Sequence, residues 1–300
     1  MGKTGVFLRR RRISLNKGFA TRLGEISIGA SIEAAVSLHC KNQSQFCKKG
    51  SFRKAKARVV NMRRILISGG SRGIGRACVE AFARNGDRVA FIYRSRNTEA
   101  AMVATAEGAT AIRADISNPD EVRRVISEAE AALGGPIDVL VNNAAVSWIG
   151  QMQDMSDGEW RAVLDTNLSG AFYLSRGVVS SMVREHYGRI INIGSMWGKV
   201  GASCEVAYSA TKAGIRGLTM AMAKEFGPSG ITVNCVEPGF IATEMNAAID
   251  EESRQALCDE TPLGRMGTPD EVAAAVVFLA SDAAGFITGQ IIGVDGGLAV

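Results

Sequence analysis

From Arg64 onward, short apolar runs alternate with longer amphipathic stretches, and this alternation constrains the fold more than any other feature of the sequence. The apolar runs predict strands at residues 65–68, 88–93, 109–114, 137–142, 189–194, 231–236 and 290–294. The stretches between them predict helices near 74–85, 97–107, 118–133, 157–186, 206–227 and 269–281. Strands that alternate with helices form parallel sheets covered on both faces. The predicted fold class is therefore α/β, a doubly wound parallel sheet of about seven strands with helices on both faces, in a single domain over residues 62–300.

Residues 1–61 differ from the rest of the chain in charge. They contain fourteen lysines or arginines but only two acidic residues, Glu25 and Glu33, whereas the remaining residues contain 21 basic and 28 acidic ones. Such a basic extension could be a targeting peptide, a tail that binds nucleic acid or a membrane surface, or translated sequence upstream of the true start. Because Met62 directly precedes the start of the alternating pattern, we favour the last alternative and expect residues 1–61 to be disordered or upstream of the true start.

The cysteines and histidines show no spacing typical of a metal site or a disulfide framework. The cysteines are Cys40, Cys47, Cys78, Cys204, Cys235 and Cys258, and the histidines are His39 and His186. We expect reduced thiols, no catalytic metal and a cytoplasmic location. No apolar run approaches the roughly 20 residues that a membrane-spanning helix needs. We therefore expect neither a membrane nor, for the domain itself, a nucleic acid as partner.

A glycine-rich turn follows the first predicted strand and opens the first predicted helix. In "SGGSRGIGRA" the glycines allow a sharp turn that brings backbone N–H groups against a pyrophosphate, and the helix N-terminus adds partial positive charge. Such a turn alone is a weak signal, but its place in the alternating pattern makes it a good one. It predicts a Rossmann-type dinucleotide site. The residues expected to contact the dinucleotide here are Gly69, Ser71, Arg72, Gly73, Ile74 and Gly75.

The end of the second predicted strand distinguishes between the two nicotinamide cofactors. An acidic residue there binds the 2′-OH of the adenosine ribose, whereas a cation suits a 2′-phosphate. Tyr93, Arg94 and Ser95 include no carboxylate. Arg94, Arg96 and Arg72 are available to pair with a phosphate. We therefore predict NADPH (or NADP) as the cofactor, with solvated surface charges as the alternative explanation of Arg94 and Arg96.

Polar residues also end the third and fourth predicted strands, at the edge where open α/β sheets bind their ligands. Asp115, followed by Ile116, can accept a hydrogen bond from the adenine amino group. Asn142 ends the fourth strand in "NNAA", two residues before Ala144. We expect these residues to line the same cofactor crevice. For Asn142 and Asn143, polar capping of the strand end is compatible with this interpretation.

A serine, a tyrosine and a lysine have a spacing that favours catalysis. Tyr208 and Lys212 lie four residues apart in one predicted helix and so share a face. A free phenol titrates near ~10, and an ammonium beside it favours the phenolate, so we expect Lys212 to lower the pKa of Tyr208. Ser195 ends the fifth predicted strand, where its hydroxyl can donate to a substrate carbonyl that becomes an alkoxide. Each residue alone has an ordinary structural explanation, but together they predict a ketone reductase.

These motifs resemble the short-chain dehydrogenase/reductase family over the whole of residues 62–300. The resemblance is carried by "GGSRGIG", "NNAA", "LDTNLSGAF", "YSATK", Ser195 and "VEPGFIATEM". It implies that Tyr208 donates a proton to the ketone oxygen, that Lys212 tunes Tyr208 and binds a ribose, and that Ser195 binds the carbonyl. It also implies that Asn167 anchors a water of the proton relay. The residues implied to flank the nicotinamide and its phosphates are Pro238, Gly239, Ile241 and Thr243.

Within the family, "GRIINIGS" and "GITVNCVEPGFIATEM" are most similar to the 3-oxoacyl-[acyl-carrier-protein] reductases. Those enzymes often dock their acidic carrier protein through basic residues, but the matching positions here are His186 and Ser229. The segment "SMWGKVGASCEVAYSA" instead resembles reductases of a 5-aminopentanone carried by elongation factor P. Met196, Trp197, Cys204 and Glu205 would then line the substrate mouth, where Glu205 suits an amine, although Met196 and Trp197 could also be core packing.

The predicted function is NADPH-dependent reduction of 3-oxoacyl-[acyl-carrier-protein] in fatty-acid synthesis. The alternatives are the protein-linked 5-aminopentanone and a non-catalytic NADP-binding sensor. The helices at 157–186 and 206–227 resemble the family's subunit interface, which implies a homo-oligomer, a tetramer or a dimer. Segment 241–262 is expected to cover the substrate.

Overall fold

Seven parallel strands form one sheet in the computed structural model, which describes residues 62–247 and 249–299. Their bounds are β1 Arg64–Ser68, β2 Arg88–Tyr93, β3 Thr110–Arg113, β4 Val139–Asn142, β5 Gly188–Ile193, β6 Ile231–Pro238 and β7 Ile291–Val294. The strand order is β3–β2–β1–β4–β5–β6–β7. Strands β2 and β3 are added on one side of β1, and β4 to β7 are added on the other side, so the order switches between β1 and β4. Open α/β sheets bind ligands at such a switch point. The predicted fold class is confirmed, and the predictions for residues 1–61 lie outside the described residues.

Within the described ranges, nine α-helices connect the strands. They are α1 Gly73–Arg84, α2 Asn97–Glu107, α3 Pro119–Leu133, α4 Asp157–Leu164, α5 Gly170–Glu185, α6 Trp197–Val200, α7 Val206–Phe226, α8 Glu251–Glu260 and α9 Pro269–Ala280. Side chains fix several starts: Asn118 caps α3, and Ser156 and Thr268 form capping boxes at α4 and α9. No helix in this part of the chain is both long enough and apolar enough to cross a membrane.

Alternate residues of the strands pack on opposite sides of the sheet. Ile65 and Ile67 of β1 join a cluster with α1 and α9, whereas Leu66 joins a cluster with α3 and α5. All three side chains are fully buried, which explains why β1 is continuously apolar. With both faces covered, the strand ends are where the sheet can meet a ligand.

The helix predicted at 157–186 is interrupted. A π-helical turn, Asp165–Ser169, separates α4 from α5. The wider turn changes which side chains share a face, so a regular helical period does not describe this stretch. A second difference is α8, which lies in the segment expected to cover the substrate and is capped by Asp250.

Candidate active site

The glycine turn between β1 and α1 is shaped so that no side chain fills it. Gly69 has φ +73° and Gly73 has φ +53°, values that favour glycine. A Cβ on Gly75 would lie 2.0 Å from the carbonyl oxygen of Gly69, so this position also needs glycine. The turn therefore leaves the first N–H groups of α1 open to an anion, and it fits the pyrophosphate of a dinucleotide. Ser71, Arg72 and Ile74 lie in the same turn.

Asn143 and Ser68 hold the glycine turn in place. The side-chain amide of Asn143 donates to the carbonyl oxygens of Ser68 and Gly69, at 2.9 and 3.1 Å. The Ser68 hydroxyl accepts from the backbone N–H groups of Asn143 and Ala144, at 3.0 and 3.1 Å. These bonds tie the carboxyl end of β4 to that of β1, and they place Ala144 beside the turn.

The side chain of Asn142 does not reach this crevice, contrary to the prediction. Its amide donates to Ser175 Oγ at 3.0 Å and to Asn192 Oδ1 at 2.9 Å, in the core between β4, β5 and α5. Neighbouring residues of a strand point in opposite directions, so only one member of the Asn142–Asn143 pair can face the glycine turn. That alternation is the signal from which Asn143 could have been identified in the sequence.

The carboxyl ends of β2 and β3 lie side by side and carry exposed charges. Arg94 lies 3.6 Å from Asp115, and Arg96 lies 3.0 Å from Glu99. Burial would raise the pKa of Asp115, but hydrogen bonds from Ser117 and the nearby Arg94 lower it, so this carboxyl group stays ionised. The predicted residues at this end of the sheet are Tyr93, Arg94, Ser95, Asp115 and Ile116.

Tyr208, Lys212 and Ser195 meet beyond the carboxyl end of β5. Lys212 is 3% exposed, and its Nζ donates to the carbonyl oxygen of Ile193 at 2.7 Å. The same Nζ lies 5.4 Å from the centroid of the Tyr208 ring. Ser195 lies two residues after β5, and its side chain is close enough to Tyr208 to act on the pKa of that phenol. Its Oγ accepts from the backbone N–H of Trp197 at 3.2 Å. The predicted placement of Tyr208 and Lys212 on one helix is confirmed, since α7 carries both.

Burial dominates the ionisation of this group. It raises the pKa of Tyr208 to about 12, although the hydrogen bond with Ser195 acts in the opposite direction. It also lowers the pKa of Lys212 to about 8. The expected lowering of the Tyr208 pKa is therefore not found. The physical reason is that burial withdraws a phenolate from water and the Glu205 carboxylate repels it, and together these effects outweigh the hydrogen bond with Ser195.

Asn167 lies in the π-helical turn and joins three elements. Its Oδ1 accepts from the backbone N–H of Val146 at 2.8 Å, and its Nδ2 donates to the Val146 carbonyl oxygen at 2.8 Å. The same Nδ2 donates to Thr211 Oγ1 on α7 at 3.2 Å. Asn167 thus fixes the loop after β4 against α7. Its implied role in anchoring a water stays a prediction.

The segment after β6 links the serine to the glycine turn. The carbonyl oxygen of Pro238 accepts from the backbone N–H of Met196 at 3.0 Å. Thr243 lies beside the turn, because a Cβ on Gly73 would be 3.5 Å from its methyl group. Gly239 and Ile241 lie between these two contacts.

Glu205 lies close to Tyr208, and Ser147 contacts Glu205. Glu205 directly precedes α7, and its Oε2 accepts from Ser147 Oγ at 3.3 Å. Burial raises the pKa of Glu205, and the hydrogen bond from Ser147 acts against this shift. Met196 is buried, as core packing requires, whereas Trp197 is partly exposed. The sequence analysis missed Ser147, which meets Glu205 only because the loop after β4 folds over the start of α7.

A glycine-lined turn at the switch point, at the same sheet edge as a partly buried tyrosine and a buried lysine, defines the protein as a nicotinamide-dependent oxidoreductase. Comparison with known proteins narrows this class. The family model described as enoyl-(acyl carrier protein) reductase matches residues 69–299. The chain belongs to the short-chain dehydrogenase/reductase family and acts on a ketone or the corresponding alcohol.

The relatives share the fold but differ in the substrates that their names give. A 3-oxoacyl-[acyl-carrier-protein] reductase of Vibrio cholerae is 38% identical over 234 residues, 78% of this chain and 96% of the relative. An acetoacetyl-CoA reductase of Shinella zoogloeoides is 43% identical over 233 residues, 77% of this chain and 96% of the relative. The crystal structure of a putative gluconate dehydrogenase from Agrobacterium tumefaciens has a TM-score of 0.76 at 33% identity, over 79% of this chain and 96% of that one.

Proposed function

We propose that the chain uses NADPH to reduce a 3-oxoacyl-[acyl-carrier-protein] to the 3-hydroxyacyl form. The observation that carries this proposal is the position of the buried Lys212, with its Nζ 5.4 Å from the Tyr208 ring centroid and 2.7 Å from the Ile193 carbonyl oxygen, at the sheet edge that also holds Ser195 and the glycine turn. The carrier-bound substrate is that of the Vibrio cholerae relative, by its name.

Each side chain of the site has a separate role in the proposed reduction. When bound, NADPH supplies a hydride to the carbonyl carbon. Tyr208 supplies the proton to the carbonyl oxygen, since a pKa of about 12 keeps its phenol protonated at neutral pH. Ser195 donates a hydrogen bond to the same oxygen as negative charge develops there. The ammonium of Lys212, 5.4 Å from the Tyr208 ring centroid, stabilises the phenolate that remains.

The preference for NADPH is supported by the charges at the end of β2. Arg94 and Arg96 are exposed, and the stretch from Tyr93 to Ser95 contains no carboxylate that would repel a 2′-phosphate. Replacing both arginines by glutamine should lower kcat/KM for NADPH roughly tenfold or more and leave that for NADH unchanged. Arg123→Gln, an exposed change on α3, is the matched control. Equal effects on both cofactors would contradict the assignment.

A substrate comparison tests the proposed function directly. NADPH oxidation is followed with acetoacetyl-[acyl-carrier-protein], with acetoacetyl-CoA and with an aminopentanone-bearing protein. We expect the carrier-bound thioester to have the highest kcat/KM. No turnover of either thioester would overturn the fatty-acid assignment.

A second candidate substrate is the protein-linked 5-aminopentanone, and Glu205 is the observation that favours it. Its carboxylate is half-buried and close enough to Tyr208 to raise the pKa of that phenol, so it would attract an ammonium at the mouth of the site. Glu205→Gln should then weaken turnover of the amine-bearing ketone and spare the thioesters. An equal loss for both substrates would remove Glu205 from substrate selection.

We further propose a homotetramer in the cytoplasm. Trp160, Phe172 and Met220 are large apolar side chains that are about 40% exposed, on α4, α5 and α7. Faces of this kind are typical of subunit interfaces. Light scattering should give a native mass four times that of one chain, and Phe172→Glu with Met220→Glu should reduce it. The cytoplasmic location is supported by the free thiols of Cys78, Cys204, Cys235 and Cys258.

A further inference from the structure

A third charged residue follows the catalytic pair along α7. Tyr208, Lys212 and Arg216 are spaced four residues apart, so they lie along one side of the helix. Arg216 is not a solvated charge, because its Nη1 lies 2.7 and 2.6 Å from the two carboxylate oxygens of Glu237. Glu237 lies on β6 directly before Pro238 and is 4% exposed. A cation held close to it stabilises a carboxylate that is so deeply buried.

Glu237 packs against the backbone that carries the catalytic serine. A Cβ on Gly194 would lie 2.8 Å from Glu237 Cγ and 3.3 Å from its Oε1. Gly194 separates Ile193, whose carbonyl accepts from Lys212, from Ser195. The Gly194 N–H donates to the Val236 carbonyl oxygen at 2.7 Å. The glutamate side chain therefore lies against the one residue that joins the lysine's acceptor to the serine.

Glu237 also acts on Lys212 through its charge. Burial lowers the pKa of Lys212, and Cys235 and Glu237, both on β6, act in the opposite direction. From α7 itself, Tyr208 and Arg216 face the same region.

The other elements packed against α7 bring charges that are engaged elsewhere. From β5, Lys212 meets the neutral carbonyl of Ile193. On α6, Lys199 donates to the Ala299 carbonyl oxygen, and in the π-helical turn Asp165 accepts from Ser169. Among the charged groups named here, Glu237 is therefore the carboxylate whose charge favours the Lys212 ammonium, and Arg216 is the cation paired with it.

We propose that Arg216 and Glu237 are positioning residues of the reductase. Their ion pair holds the Ile193–Ser195 backbone in its catalytic arrangement, and the Glu237 carboxylate keeps the Lys212 ammonium charged during turnover. This inference rests on the proposed function, because it takes Ser195, Tyr208 and Lys212 as the reacting group.

Two single substitutions in the full-length chain test the pair by moving the charge near Lys212 in opposite directions. Glu237→Gln removes a negative charge with little change in shape, so the alkaline limb of the kcat/KM profile should move to lower pH. Arg216→Met removes a positive charge, so the same limb should move to higher pH. Both should lower kcat roughly tenfold through displacement of Ser195 while the Kd for NADPH stays within about twofold. Arg216→Lys should restore most of kcat, and Lys224→Met, an exposed change on the same helix, should alter nothing.

A second readout keeps the test independent of turnover and of the substrate. In protein carrying 13C-labelled lysine, the resonance that Lys212→Met removes is titrated by NMR in wild type and in both variants. Shifts of its pKa in opposite directions support the proposal. A Lys212 pKa that stays unchanged, or that moves in the same direction in both variants, overturns it. Thermal melts check that both variants are folded. If the wild type reduces no ketone, the proposed function fails. This titration still reports whether the Arg216–Glu237 pair controls the pKa of Lys212.

Discussion

At the scale of single residues, burial prepares the site to donate a proton. The same withdrawal from water raises the pKa of Tyr208 to about 12 and lowers that of Lys212 to about 8. Both groups are therefore mostly protonated at neutral pH, as a reduction requires. In the proposed reaction the lysine acts after proton transfer, when it faces a phenolate, rather than by ionising the tyrosine beforehand.

Tyr208→Phe should lower kcat by about a thousandfold or more, because it removes the proton donor. The ring and its packing remain, so the Kd for NADPH should stay within about twofold of wild type. Steady-state kinetics and fluorescence titration of NADPH measure the two quantities. Tyr173→Phe on α5 is the matched control, and retention of full activity in Tyr208→Phe would refute the assignment.

The reductase activity should fall as pH rises through about 8. Lys212 is charged below its pKa of about 8 and neutral above it, and the neutral amine cannot stabilise the phenolate. Tyr208, with a pKa of about 12, stays protonated across this range and does not contribute to the decline. The pH profile of kcat/KM measures the effect. A flat profile between about pH 6 and about pH 10 would contradict the proposal that a charged Lys212 takes part in the reaction.

At the scale of elements, side chains at the strand ends keep the backbone of the site in place. Ser68 and Asn143 connect β1 to β4, and Asn167 connects the loop after β4 to α7. The bonds of Ser68 and Asn143 join side chain to backbone, and the bond from Asn167 to Thr211 joins two side chains; all connect elements far apart in the chain. They fix the distance between the glycine turn and the catalytic helix, although none of the three need touch a substrate.

The two adjacent asparagines should respond differently to the same substitution. Asn143→Ala removes two hydrogen bonds to the glycine turn, each worth about 1 kcal/mol, so the Kd for NADPH should rise roughly tenfold. Asn142→Ala removes bonds in the core, so it should lower the free energy of unfolding by about 1–3 kcal/mol and leave the Kd nearly unchanged. NADPH titration and denaturant unfolding of both variants separate the effects. If Asn142→Ala raised the Kd for NADPH and Asn143→Ala lowered only the free energy of unfolding, the side-chain directions described above would be wrong.

At the scale of the whole molecule, the strand order brings two sets of residues together. The strands β1 to β3 carry the glycine turn and the arginines, and β4 to β6 carry the residues that surround Ser195. Because all strands run parallel, both sets emerge at the same edge and meet at the switch between β1 and β4. Every element that the proposed reaction uses therefore lies within the described residues.

We propose that a chain beginning at Met62 retains the reductase activity. Its kcat/KM for NADPH and for the best ketone should lie within about twofold of the full-length values, since the family match covers residues 69–299. Parallel steady-state assays of the two chains measure this. A large loss of activity would assign residues 1–61 a part in folding or catalysis, and salt-sensitive nucleic-acid binding by the full chain alone would assign them a separate function.

The sequence by itself determined the order of strands and helices, the glycine turn, and the spacing of Tyr208 and Lys212, because these depend on local periodicity and on backbone freedom. Only the tertiary structure decided which of two adjacent asparagines faces the turn, where the helix at 157–186 opens into a π-turn, and that Glu237 and Arg216 form an ion pair beside the Ile193–Ser195 segment. Those features depend on contacts between residues far apart in the chain. The pKa values belong to the same group, since they are set by how deeply the fold buries each side chain, and local spacing carries no information on depth.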